Sequence, residues 1–409
     1  MSFAGPNRDK LVRATDLDAL SCRLSANRKG YFVPSDKFIP ALLTSYEQNL
    51  QYCEGYTQLS ARRTIRSTFT EAKFPLINRG TYFRTESIDR IVSSFIEEHT
   101  GEGGVESDGR SDGGNLNNDK DKDSCKHTEN DARSGSRRTC QIVALGGGSD
   151  TRSFRVLENH RARKDVVYTE IDFAESTKIK KIAISNSPAL KSIIGPVLTG
   201  SEGPGTCDLA PIDVSSKEDM ASLDPDLHCQ QYHLVAADLR QLGAPGTNSF
   251  SFLQPEVPTL IISECVLCYV TPEENIRVLN FWKSMFSALA VVLYDPMGLG
   301  DAFGDTMAQN LSKRGLDMLT FSKYPDLQAR KLLFEATLGF RAWLTDLASI
   351  GGYGVPSATW MDASESVRVS RLEMVDEVEE IGLLLKHYCL IYAESGMSSR
   401  LPTELKWIL

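Results

Sequence analysis

The chain has 409 residues, 41% of them hydrophobic and 24% charged, enough to bury a sizeable core without disulfide or metal staples. A formal net charge of −9 opposes extended binding to nucleic-acid phosphates or anionic lipid. No apolar run is long enough to cross a bilayer, so neither nucleic acid nor membrane is the expected partner.

The opening residues, Met1 to Arg13, are polar and lack the apolar core of a signal peptide, so a cytoplasmic and also nuclear location is expected. Apolar residues at helical spacing then predict helices over 37–52, 58–68 and 85–98. They are read as a helical cap, residues 1–100, packed on the carboxyl edge of a sheet. Residues 101–138 are Gly, Asp, Ser, Asn, Lys and Arg with almost nothing apolar, a composition that cannot offset the entropy of ordering. A disordered insertion is therefore expected over 101–139, lengthening a connection inside the fold.

From residue 140 to 409 one continuous core is expected. Short β-branched runs at 141–145, 166–171, 233–237, 259–263, 289–294 and 388–393 alternate with helical stretches such as 272–288 and 305–313. That alternation predicts an α/β, Rossmann-like fold: a mostly parallel twisted sheet with helices on both faces. Gly- and Pro-rich segments at 199–211 and 243–258 read as surface loops. The nine cysteines are scattered, and Cys265 and Cys268 form a lone CxxC in apolar surroundings. They read as reduced packing thiols, and no metal site is expected.

The strongest chemical signal is the first strand running into Gly146, Gly147 and Gly148, then Ser149 and Asp150. Glycines there permit a tight turn and close approach of a ligand to the backbone. The same pattern serves nucleotide sites, phosphate loops and plain turns. The second strand ends in Glu170, Ile171 and Asp172, and a carboxylate at that tip can accept both ribose hydroxyls of an adenosine cofactor. Asp238 ends a third strand, placed for an adenine amino group with Leu239 against the ring, and Glu264 ends a fourth, inside an otherwise apolar run. Each acid taken alone also reads as an ordinary helix or turn cap. Their succession at strand tips, where open α/β sheets bind ligands, carries the argument. The spaced GxGxxG of dinucleotide sites is missing, and Asp150 would repel a pyrophosphate. S-adenosylmethionine carries a cationic sulfonium and ammonium, which suit an acidic pocket.

These segments resemble the leucine carboxyl methyltransferase family. The similarity rests on Ile77 to Gly80, Leu145 to Thr151, Glu170 to Phe173, Ala237 to Arg240, Ser263 to Tyr269, Gly300 to Gly304 and His387 to Cys389, and spans most of the chain outside the insertion and the two loops. The resemblance implies S-adenosylmethionine as methyl donor and, as substrate, the C-terminal leucine carboxylate of the protein phosphatase 2A catalytic subunit. It also implies cofactor contacts at Arg23, Arg84, Gly146, Asp172, Asp238, Leu239 and Glu264. Arg23 stands where the family pattern has Lys, and Arg84 would meet a carboxylate. Pro296, after Tyr294 and Asp295, departs from the loop expected there.

A terminal carboxylate, with a pKa of roughly 3.5, is already ionised at neutral pH and needs no general base. Arg84 and Tyr269 are accordingly expected only to position it. The stretch Val369 to Glu373, with the acidic residues after it, is a candidate to cover the site, against a solvated helix face. A monomer is expected. The competing readings are methylation of a modified tRNA base or of another acid, an idle phosphatase- or metabolite-binding module, and a nicotinamide oxidoreductase. The first lacks the C-terminal repeat domain of RNA-modifying relatives, and the last lacks the glycine spacing.

Overall fold

A computed structural model describes residues 6–100, 139–162, 164–198, 209–244 and 250–409. The expected insertion at 101–138 lies outside the described residues, as does most of the loop at 199–211 and part of that at 243–258.

Eight strands form one sheet: β1 (Cys140–Leu145), β2 (Val166–Asp172), β3 (Leu227–His228), β4 (Tyr232–Ala236), β5 (Thr259–Glu264), β6 (Leu289–Pro296), β7 (Arg341–Asp346) and β8 (Tyr388–Ser395). Their order is β3-β4-β2-β1-β5-β6-β8-β7. The strands from β4 through β6 run parallel, whereas β3, and β8 against both β6 and β7, pair antiparallel. From β1 the chain passes to β2 on one side, while β5 lies on the other. The carboxyl end of β1 is thus the switch point where a crevice opens in such sheets.

All six residues of β1 are buried, because helices cover both faces of a parallel sheet. Alternate residues feed two apolar clusters, as the two-residue period of a strand requires. Ile142 and Ala144 join the cluster of Leu20, Ile39, Ile88 and Phe95. Val143 and Leu145 join that of Val278, Leu279 and Trp282.

Four helices precede the sheet: α1 (Pro6–Arg28), α2 (Ile39–Asn49), α3 (Gln58–Thr70) and α4 (Pro75–Thr100). They cover one face of the sheet as well as its carboxyl edge. The sequence pattern missed α1 altogether and started α4 ten residues late. After β1 the chain continues into α5 (Arg152–His160), and after β2 into α6 (Ala174–Asn186). Strands β3 and β7 were also not foreseen. Pro296 closes β6 opposite Tyr388, the end of a strand being a place that tolerates a missing N–H. No described helix is long and apolar enough to cross a membrane.

Candidate active site

A cavity of about 440 Å³ opens at the carboxyl ends of the parallel strands, beneath α1 and α4. Its floor is the glycine loop after β1. Gly146 has φ 64° and Gly148 φ 41°, the left-handed region that side chains avoid. Space forbids a side chain as well: a Cβ on Gly146 would lie 2.5 Å from Val266, and one on Gly148 2.4 Å from Asp16 Oδ1.

Asp172, the last residue of β2, accepts hydrogen bonds from the Gly148 N–H (2.7 Å) and the Phe173 N–H (2.6 Å). Burial and the nearby Asp16 carboxylate outweigh those donors and push Asp172 up to about 6. Asp16, on α1, in turn accepts from the Ser149 N–H (2.8 Å) and hydroxyl (2.6 Å). Glu170, two residues before Asp172, serves the scaffold: it pairs with Lys180 of α6 at 2.6 Å and accepts from the Tyr232 hydroxyl at 2.6 Å.

Asp238 follows β4 and caps a short turn, accepting from the Arg240 N–H at 2.9 Å while pairing with the Arg240 guanidinium at 2.7 Å. Burial raises its pKa, but these bonds prevail and hold it below the ordinary value. The capping reading of Asp238 is therefore correct, and Asp238 and Leu239 line the cavity all the same.

Glu264 ends β5 between two guanidiniums: Arg84 of α4 at Oε1, and Arg152 of α5 at Oε2, 3.1 Å away. Burial would raise its pKa, yet the two arginines keep it below the usual carboxylate value. Arg84 also lies over the ring of Tyr294, 5.2 Å from its centroid. Arg23, near the end of α1, pairs with Asp150 and donates to Thr151 Oγ1 at 2.7 Å. Its buried Nε has no hydrogen-bond partner. Tyr269 sits in the turn Leu267–Tyr269, and its carbonyl accepts from Arg8 at 2.7 Å.

Arg23, Arg84, Gly146, Asp172, Asp238, Leu239, Glu264 and Tyr269, drawn from across the chain, thus line one cavity. Asp16 and Arg152 also line it, and no local sequence signal marked either. Of the two readings of Val369 to Glu373, covering the site fails because the stretch does not line the cavity, and the exposed Asp376, Glu377, Glu379 and Glu380 after it fit the solvated face. Glu373 is engaged elsewhere, with Lys29 (3.1 Å) and Asn78 (2.9 Å). The following helix, Val378–Lys386, contributes Leu384 and Leu385 instead.

Residues 128–283 match the leucine carboxyl methyltransferase family. The chain is 46% identical over 408 residues to Leucine carboxyl methyltransferase 1 of Debaryomyces hansenii, covering 98% of this chain and 97% of that protein. It belongs to the leucine carboxyl methyltransferase family. The Candida albicans member is 44% identical (95% of this chain, 93% of the relative), and the Arabidopsis thaliana homologue 27% (93% and 88%).

This methyltransferase uses S-adenosylmethionine as methyl donor for carboxyl methylation. The cavity fits that cosubstrate. Its volume lies within the range of small-ligand sites, its glycine loop leaves room for a ligand against the backbone, and paired carboxylates and guanidiniums at the strand tips suit a molecule that carries both charges.

Proposed function

We propose that the protein methylates the C-terminal leucine carboxylate of the protein phosphatase 2A catalytic subunit, giving a methyl ester and S-adenosylhomocysteine. The observation that carries this reading is the union, in one cavity, of Asp172, Asp238 and Glu264 with Arg84, Tyr269 and the apolar side chains Ile77, Leu384 and Leu385. The carboxylates suit a cationic nucleoside. Arg84 and Tyr269 suit a carboxylate, and the apolar residues suit a leucine side chain.

Asp172 would accept the ribose hydroxyls, Asp238 the adenine amino group, and Leu239 would lie against the base. Gly146 and Glu264 would receive the ammonium of the methionyl end, and Arg84 and Arg23 its carboxylate. Bound there, the sulfonium supplies an already activated methyl group. The substrate oxygen attacks the methyl carbon as the carbon–sulfur bond breaks, and the electron pair leaves on sulfur as a neutral thioether. No proton moves.

The residues around the cavity agree with that economy. Burial holds the Tyr269 phenol above its ordinary pKa and pushes the Cys265 thiol up to about 12, so neither offers a base or nucleophile near neutral pH. Catalysis then consists of aligning oxygen, carbon and sulfur and of stripping water from the carboxylate. Tyr269 positions the substrate carboxylate, and Arg84, through the carboxylate of the cosubstrate, positions the methyl donor beside it. The active unit proposed is a monomer in the cytosol or nucleus.

Mass spectrometry of the intact phosphatase subunit after incubation with the enzyme and S-adenosylmethionine tests the substrate. One methyl group on the terminal leucine is expected, and none on a subunit lacking that leucine. Equal modification of both subunits would refute the assignment.

A further inference from the structure

Arg152 occupies an unfavourable place for a cation. It is the first residue of α5, where the helix dipole presents its positive end, and its side chain is only 2% exposed. Helix propensity gives no reason for a buried guanidinium there.

Three carboxylates from three separate elements compensate. Asp89 of α4 binds Nε at 2.6 Å. Asp150 of the glycine loop binds Nη1, as does Glu264 at the tip of β5, the latter at 3.1 Å. Of these partners, Asp150 and Glu264 line the cavity and Asp89 does not. Asp89 is itself fixed by Arg155 at 2.5 Å, and Asp150 by Arg23.

The two guanidiniums on Glu264 therefore differ in character. Arg152 is tied to three carboxylates and is out of water. Arg84 has a side chain 27% exposed and pairs with Glu264, with the face of Tyr294 as its other neighbour. Of the two, Arg84 is the less constrained, with one carboxylate partner against three.

The charges around Glu264 also balance. Arg23, Arg84, Arg152 and Arg155 stand against Asp36, Asp89, Asp150 and Glu264. A zwitterion inserted into the pair of Arg84 and Glu264 leaves that balance unchanged, since its carboxylate meets the arginine and its ammonium the glutamate.

We propose that Arg152 is the positioning residue of the cosubstrate site: it holds the Glu264 carboxylate in place through Oε2 while Arg84 releases Oε1 to the amino-acid end of the cosubstrate. This rests on the proposed placement of that end between Gly146, Glu264 and Arg84. Arg152 touches no reacting atom. Its contribution passes through Glu264 and through Asp150, whose partner Arg23 is placed at the same end, so it concerns the amino-acid end more than the nucleoside.

That distinction supplies the test. Titration calorimetry of the full-length protein is done with S-adenosylhomocysteine and with methylthioadenosine, which has the same nucleoside and lacks the amino-acid end. Arg152→Gln is expected to weaken S-adenosylhomocysteine about tenfold or more and to change methylthioadenosine by less than about twofold. Equal weakening of both ligands would mean that Arg152 only supports the fold, and unchanged binding of S-adenosylhomocysteine would overturn the proposal outright. Asp89→Asn retains Arg152 and removes one of its anchoring charges, which guards against a variant that fails to fold. It should show the same selectivity to a smaller degree, and no selectivity there also counts against the proposal. Wild-type protein that binds neither ligand would instead defeat the cosubstrate reading and this inference with it. Wild-type binding with a non-selective variant defeats the inference alone.

Discussion

Asp172 is poised by opposing forces. Two backbone N–H groups favour its charged form, whereas burial and the Asp16 carboxylate push it from 3.8 up to about 6. Below the lower value it is protonated whether folded or unfolded. Between the two values the unfolded chain ionises first, so stability falls with rising pH across that window and stays lower above it. With Asp172 in its proposed role, function has the opposite dependence, because only the ionised carboxylate would accept both ribose hydroxyls. Affinity for S-adenosylhomocysteine should be flat above about pH 6 and fall about tenfold per unit below it. Calorimetric titration across pH checks this, and Asp172→Asn should bind weakly with that limb absent. A wild-type profile flat down to pH 4.5 would contradict the assignment. Asp172, Asp238 and Glu264 were legible in the sequence because each ends a strand and starts a turn, a local pattern. Asp16 was not, because its role depends on Ser149, 133 residues away. Arg152 was hidden for the same reason, its partners lying on α4 and β5.

The elements missed from the sequence are those whose pattern is diluted by charge. Leu17, Leu20 and Leu24 of α1 are buried and keep helical spacing, but Arg and Asp surround them, because the helix faces a polar cavity along much of its length. The strand β7 is an edge strand that pairs only with β8 and carries charge at both ends, Arg341 and Asp346, so its pattern reads as a loop. The parallel strands, buried on both faces, were conspicuous. A further element bears on the cavity: the helix Ala302–Lys313, whose only buried residue is Gly304. It sends Met307 and Leu311 to the cavity wall. A Cβ on Gly304 would fall 2.0 Å from the Gly298 carbonyl oxygen, so Gly304→Ala must shift the helix. With so little of the helix buried, thermal unfolding should move by only a few degrees, while methyl transfer falls at least about tenfold. A steady-state assay beside a thermal melt checks both, and undiminished turnover would show that the wall tolerates displacement.

At the scale of the molecule, one topological fact organises the site. The strand order reverses at β1, so the tips of the parallel β1, β2, β4 and β5 border one crevice, and α1 and α4 close over it. Residues from Arg8 to Tyr388 thereby share a cavity. The strand tips, their order and a helical cap over the carboxyl edge were legible; the first helix of that cap, α1, was not, since charged residues dilute its apolar spacing. In the proposed reaction this crevice binds S-adenosylmethionine through Asp172 and delivers its methyl group to a leucine carboxylate. The most direct test incubates labelled S-adenosylmethionine and the phosphatase catalytic subunit with wild-type protein or with Asp172→Ala. Label that base releases, as from an ester, and that the variant fails to transfer is the predicted result; base-stable label, or undiminished transfer by Asp172→Ala, would contradict it.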